Sequence, residues 1–148
     1  MNAVVVYDSI FGNTTKIAEA IAKSLGAGAR MVAVPALKED GLAGVELVVV
    51  GCPINGWRPS AGMGKFLGAL RAGQLQGVKA ATFDTRVKSM FHGDAAGKIG
   101  KALQRAGANM VASPEPFYVA GKEGPLVAGE LERAAAWGQS LAGAPAAS

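Results

Sequence analysis

Tyr7-Asp8-Ser9-Ile10-Phe11-Gly12-Asn13-Thr14-Thr15 joins a short apolar run to a helical pattern. Residues 3–7 before it are continuously apolar and bounded by Asp8 and Ser9, the pattern of a strand buried on both faces. After it, Ile17, Ile21 and Leu25 recur at four-residue steps until Gly26 stops the helix. The amides that open a helix have no partner inside it, and the helix dipole favours negative charge there. Ser9, Asn13, Thr14 and Thr15 add short neutral polar tips, and Gly12 lets the backbone come close to a ligand. Such a loop is built to hold a phosphate. Because no lysine lies between Ser9 and Thr15, a terminal monoester suits it better than a triphosphate. The plain alternative is that Ser9, Asn13 and Thr14 only cap the helix.

Outward from this loop, apolar runs and helical patterns alternate. Strand patterns are expected at residues 30–34, 46–52, 78–83 and 109–120. The last is broken by Pro114 and Pro116, which suits an interrupted edge strand. Helices are expected at residues 14–25, 63–70, 95–106 and 130–141, with a short, poorly formed one within 35–44. Asp94 stands where it would cap the first turn of the third full helix. Five strands alternating with about five helices imply right-handed crossovers and a parallel sheet covered on both faces. No repeat or linker divides residues 1–148, so one domain is expected, with residues 142–148 as a frayed tail. In such sheets ligands bind beyond the carboxyl ends of the strands, where the strand order reverses. That directs attention to three loops, at residues 8–15, 52–62 and 84–93.

The bulk composition narrows the function. Half of the residues are hydrophobic, enough for a sizeable core, yet no apolar run approaches the roughly 20 residues needed to cross a bilayer. No basic segment with a small-residue cleavage site precedes the first strand pattern, so a cytoplasmic location is expected. Cys52 is the only cysteine and His92 the only histidine, which excludes an internal disulfide and argues against a Cys/His metal cluster. The net charge of +4 comes from scattered residues, whereas nucleic-acid binders gather theirs in a stripe. Two rival phosphate motifs fail: Gly64-Lys65 is followed by Phe66, and Gly26-Ala27-Gly28 follows a helix instead of a strand.

The stretch from Tyr7 to Thr14 resembles the flavodoxin signature: an apolar strand, a hydroxyl residue, two spacers and Gly-Asn-Thr. It departs at Phe11, where the family often has a second hydroxyl. Val50-Gly51-Cys52-Pro53-Ile54-Asn55-Gly56-Trp57-Arg58-Pro59-Ser60 is similar to the second flavin loop of a flavodoxin-like branch. Ala81-Thr82-Phe83-Asp84-Thr85-Arg86 looks like the strand leading into the third. The resemblance implies a doubly wound sheet of order 2-1-3-4-5 and one non-covalent FMN; flavodoxin is itself a standard instance of the switch-point rule. It places FMN against Ser9, Ile10, Phe11, Gly12, Asn13, Thr14 and Thr15 in the first loop. In the second the contacts are Pro53, Ile54, Asn55, Gly56 and Trp57, and in the third Asp84, Thr85, Arg86, Phe91 and Gly93.

An isoalloxazine ring needs apolar faces and hydrogen bonds at its edge. Trp57 offers a stacking face, with a half-buried support of the neighbouring helix as the alternative, and Phe91 is the candidate second aromatic. The Asn55-Gly56 pair tolerates positive φ, and in flavodoxins a peptide of this loop reorients when the flavin gains a proton. Arg86 or Lys88 near the ring would favour the anionic, two-electron-reduced flavin. His92 reads as a bystander and Cys52 as a buried small residue.

The leading reading is an FMN redox protein passing electrons between a reductase and an acceptor. Carrier flavodoxins are usually acidic; this basic chain would steer towards an acidic redox partner. The alternatives are an FMN oxidoreductase acting on a quinone or porphyrinogen, and a flavin-free interaction module. Oligomeric state is not legible.

Overall fold

The computed structural model describes residues 2–38, 40–55, 58–88, 93–121 and 123–143. The buried apolar runs become strands β1 (Ala3–Tyr7), β2 (Ala29–Ala33), β3 (Leu47–Asn55) and β5 (Lys79–Val87), with β4 (Arg58–Pro59) a short antiparallel return on β3. The expected fifth strand is two pieces, β6 (Asn109–Met110) and β7 (Glu115–Val119), both parallel to β5. Pro116 sits on that outer strand, opposite Asp84, where its missing N–H costs no ladder bond. The path β2-β1-β3-β5-β6 is the anticipated 2-1-3-4-5 order once the small β4 is set aside.

Four α-helices are described: α1 (Asn13–Leu25), α2 (Ala61–Gly68), α3 (Ala95–Arg105) and α4 (Glu130–Ala142). The weak helix expected near residues 35–44 is only a three-residue 3-10 turn, Val34–Ala36, since Pro and Gly punctuate that segment. Side-chain alternation gives the sheet two dry faces. Val4, Val6, Val48 and Val50 pack with Met63 of α2 and with Ile99 and Leu103 of α3. Val5, Val49 and Phe83 pack with Ile17 and Ile21 of α1 and with Ala134 and Leu141 of α4. Helices α1 and α4 approach closely: a Cβ at Gly138 would lie 2.0 Å from Ser24 Oγ and 3.1 Å from the Ile21 carbonyl.

Strands β3 and β5 run further than their sequence pattern predicted. Pro53 to Asn55 belong to β3, and Asp84, Thr85 and Arg86 belong to β5 rather than to a loop. Pairing drives the extension: Cys52 lies beside Asp84 and Pro53 beside Thr85, and β7 continues the ladder as far as Val87. Polar residues there broke the apolar run by which a strand is read, but neighbours on both sides satisfy their backbone groups.

Candidate cofactor site

The loop after β1 ends in Gly12, whose φ of +88° suits glycine, and α1 starts there without a side-chain cap. Its first turn contains no acidic residue. The first helical bond is Lys16 N–H to the Gly12 carbonyl at 3.2 Å, so the amides of Asn13, Thr14 and Thr15 lack a partner among the described residues. The capping alternative therefore fails: Ser9 Oγ accepts from Gly12 N–H at 3.0 Å, outside the helix. Asn13, buried, instead donates from Nδ2 to the Glu123 carbonyl at 3.1 Å and ties the loop after β7 to the start of α1. The Thr14 hydroxyl is buried against that of Thr85, 2.8 Å away. Thr15 is half-buried, while Ile10 and Phe11 are 54% and 45% exposed at the rim.

Asp8 was not singled out in the sequence, yet it joins two of the loops. Its Oδ1 accepts from Ser9 N–H at 3.1 Å and its Oδ2 from Ser60 Oγ at 2.7 Å. Ser60 is in turn the N-cap of α2, accepting from Met63 N–H at 3.4 Å. The fit is close, for a Cβ at Gly62 would stand 2.8 Å from Asp8 Oδ2. A carboxylate directly after a buried strand was the available signal. Cys52 is fully buried, as expected, and burial pushes its thiol up to about 12.

In β5, Asp84 and Arg86 both point towards α3. The Arg86 Nε and Nη2 donate to Asp84 at 2.7 and 2.5 Å, and Asp84 Oδ2 also accepts from Ala96 N–H at 2.9 Å. Asp84 is fully buried, and its carboxylate raises the Arg86 pKa. Arg86, expected as a cation near the flavin, thus has its charge paired with Asp84 within the fold. Asp94 lies 3.6 Å from Arg86 and caps α3 through Gly97 N–H at 2.8 Å, as anticipated. Lys88 remains exposed, its Nζ 5.7 Å from the Tyr118 ring centroid. Pro53 and Ile54 are half-buried at the end of β3, and Gly93 precedes the Asp94 cap. Gly56, Trp57, Phe91 and His92, and the side chain of Asn55, lie outside the described residues.

The carboxyl ends of β1, β3 and β5 therefore lie side by side, with the break in strand order between β1 and β3. The flavodoxin family profile matches residues 5–137. The chain belongs to the flavodoxin family. A flavodoxin from the domain Archaea has 25% identity, covers 96% of each chain and superposes with a TM-score of 0.82. Oxidised flavodoxin 1 from Bacillus cereus gives 19% identity, 94% and 95% coverage of this chain and its own, and a TM-score of 0.81. A flavodoxin, WrbA-like protein from Agrobacterium tumefaciens gives 23%, 95% and 94%, and 0.75. No curated protein matches the sequence. Phe11, at the position where the family often has a hydroxyl, is exposed.

Proposed function

We infer that this flavodoxin binds one FMN at the carboxyl edge of its sheet and passes electrons between a reductase and an acceptor. The observation that carries the reading is the uncapped start of α1, where three amides and the helix dipole await an anion. A phosphate monoester fits that donor set. The amides of Asn13, Thr14 and Thr15 would hold it, with the hydroxyls of Ser9 and Thr15 as neutral donors. FMN would supply one- and two-electron transfer there, which no side chain offers. Pro53 and Ile54 at the end of β3 would border one side of the ring, and the end of β5 the other. The Asp84–Arg86 pair would act as structure, fixing the start of α3 there without adding net charge.

The surface supports exchange at this edge. The large apolar side chains most exposed among the described residues are Ile10, Phe11, Val87, Val127 and Leu131. Ile10 and Phe11 follow β1, Val87 ends β5, and Val127 and Leu131 flank the start of α4. The net charge of +4 supports an acidic redox partner, and a single buried cysteine supports a reducing compartment such as the cytoplasm.

The test is the visible spectrum of the purified protein before and after FMN is added and the excess removed. Retained flavin bands, absent from a folded Gly12→Asp variant, are the expected result. A colourless wild-type protein that ignores FMN would overturn the reading and leave an interaction module.

A further inference from the structure

A second concavity lies away from the phosphate loop. The segment that follows β2 folds across α2 and leaves a groove of about 510 Å³ between them. Its walls are Leu37, Leu42, Phe66 and Leu70, apolar side chains that pack on the core beneath, so the floor is backed by the body of the fold. Lys38, Lys65 and Arg71 stand exposed around it. None of the three makes an ion pair with a described residue, and no Asp or Glu is among the described lining residues, Glu39 lying outside them. Asp40 borders a neighbouring hollow with Arg71 and Gln74 but makes no ion pair with Arg71. Among the described residues the groove meets the proposed cofactor site at Gly62, which packs on Asp8.

Its size falls within the ordinary range for small-molecule sites, roughly 300–1,000 Å³. Three cations with no ion-pair partner among the described residues, set over a hydrocarbon floor, select for an apolar body carrying an anionic head. A neutral body would leave the cations unused, and an apolar cation would be repelled. A nucleotide would find one neutral polar side chain, Gln74, for its sugar and base. We propose that the groove between the post-β2 segment and α2 binds an amphipathic organic anion, a medium-chain carboxylate or its aromatic equivalent. The tail would lie along Phe66 and Leu70, with the head between Lys65 and Arg71. The site is separate from the FMN reading and stands or falls without it.

The probe is sodium dodecanoate, titrated below its micelle concentration into the isotope-labelled wild-type protein and followed by amide chemical shifts. Saturable one-to-one shifts confined to residues 34–42 and 62–74 are expected, with dodecyltrimethylammonium giving none. The exposed double change Lys65→Gln with Arg71→Gln should weaken dodecanoate binding by about tenfold or more while leaving the unliganded spectrum folded. Absence of saturation, shifts centred on Ile10 and Phe11, equal binding of the cationic surfactant, or unchanged affinity in the double variant would each overturn the proposal. So would shifts at these residues that track protein concentration without additive, because a second copy would then cover the groove. Cofactor retention is read separately in the visible spectrum, so failure of one reading does not touch the other.

Discussion

The hydroxyls of Thr14 and Thr85 lie 2.8 Å apart, both buried, and join the first turn of α1 to the carboxyl end of β5. The residues are 71 positions apart in the chain, and their bond fixes the phosphate loop against the strand that ends at the third loop. Replacing only Thr14 by Val strands the other hydroxyl without water. Thr14→Val or Thr85→Val should each cost about 1–3 kcal/mol, whereas the double change should cost less than their sum. Urea unfolding of the four proteins of the cycle measures this, and additive losses would deny the coupling.

Arg86 and Asp84 form a pair in which Asp84 is wholly enclosed. Arg86→Met leaves that carboxylate with the Ala96 amide and no balancing charge, and should destabilise the fold by about 3–5 kcal/mol. Adding Asp84→Asn should restore a good part of the loss. A double variant as unstable as Arg86→Met would show that packing, not charge, is at stake.

Glu130 opens α4 and accepts from Arg133 and from Tyr118 N–H, at 2.9 Å to Arg133 Nε and 2.8 Å to the amide. The Arg133 bond holds its carboxyl below the usual 4.5, with the Tyr118 amide and the charges of Arg133 and Lys88 acting the same way against burial. A depressed acid stabilises the fold fully above its unfolded value and loses that contribution as pH falls through the folded one. Stability should therefore decline below about pH 4.5 more steeply in the wild type than in Glu130→Gln. Thermal melts between pH 3 and 6, roughly the span over which such an acid titrates, make the comparison. Parallel curves would exclude Glu130 as a source of acid sensitivity.

Cys52 combines full burial with a thiol shifted up to about 12. A thiol reagent at neutral pH should leave the native protein unlabelled and react only as the whole chain unfolds. Its labelling rate with rising denaturant should follow the global transition. Rapid labelling of the native state would reveal local opening of β3.

The alternation of apolar runs and amphipathic stretches made the strands and helices readable, because buried parallel strands and two-sided cover leave a plain pattern, while the strand order came from the resemblance to flavodoxins. What escaped was the end of each strand. Asp84, Thr85 and Arg86 are polar, and their neighbours Cys52, Pro53, Pro116, Phe117 and Tyr118, far off in sequence, keep them in a strand. The same blindness hid the roles of Asp8 and Ser60, which belong to different loops and meet only after folding. Asn13 and Thr14 were legible as the start of a helix after the first strand, but their side-chain partners, Glu123 and Thr85, were not. A sequence shows which residues suit a ligand; which of them are spent holding neighbours is decided by contacts across the fold.

The Gly138 contact has a temporal side. Helix α1 carries the phosphate loop at its start and rests on α4, so closely that position 138 excludes a side chain. During synthesis α4 emerges more than a hundred residues after α1. At ordinary elongation rates that is a delay of about 5–25 seconds. Throughout this interval one flank of α1, with Ile21 and Ser24 on it, lacks its cover, and the nascent chain is a natural client for whatever shields apolar surface at the ribosome. The part of the protein written first is thus finished last.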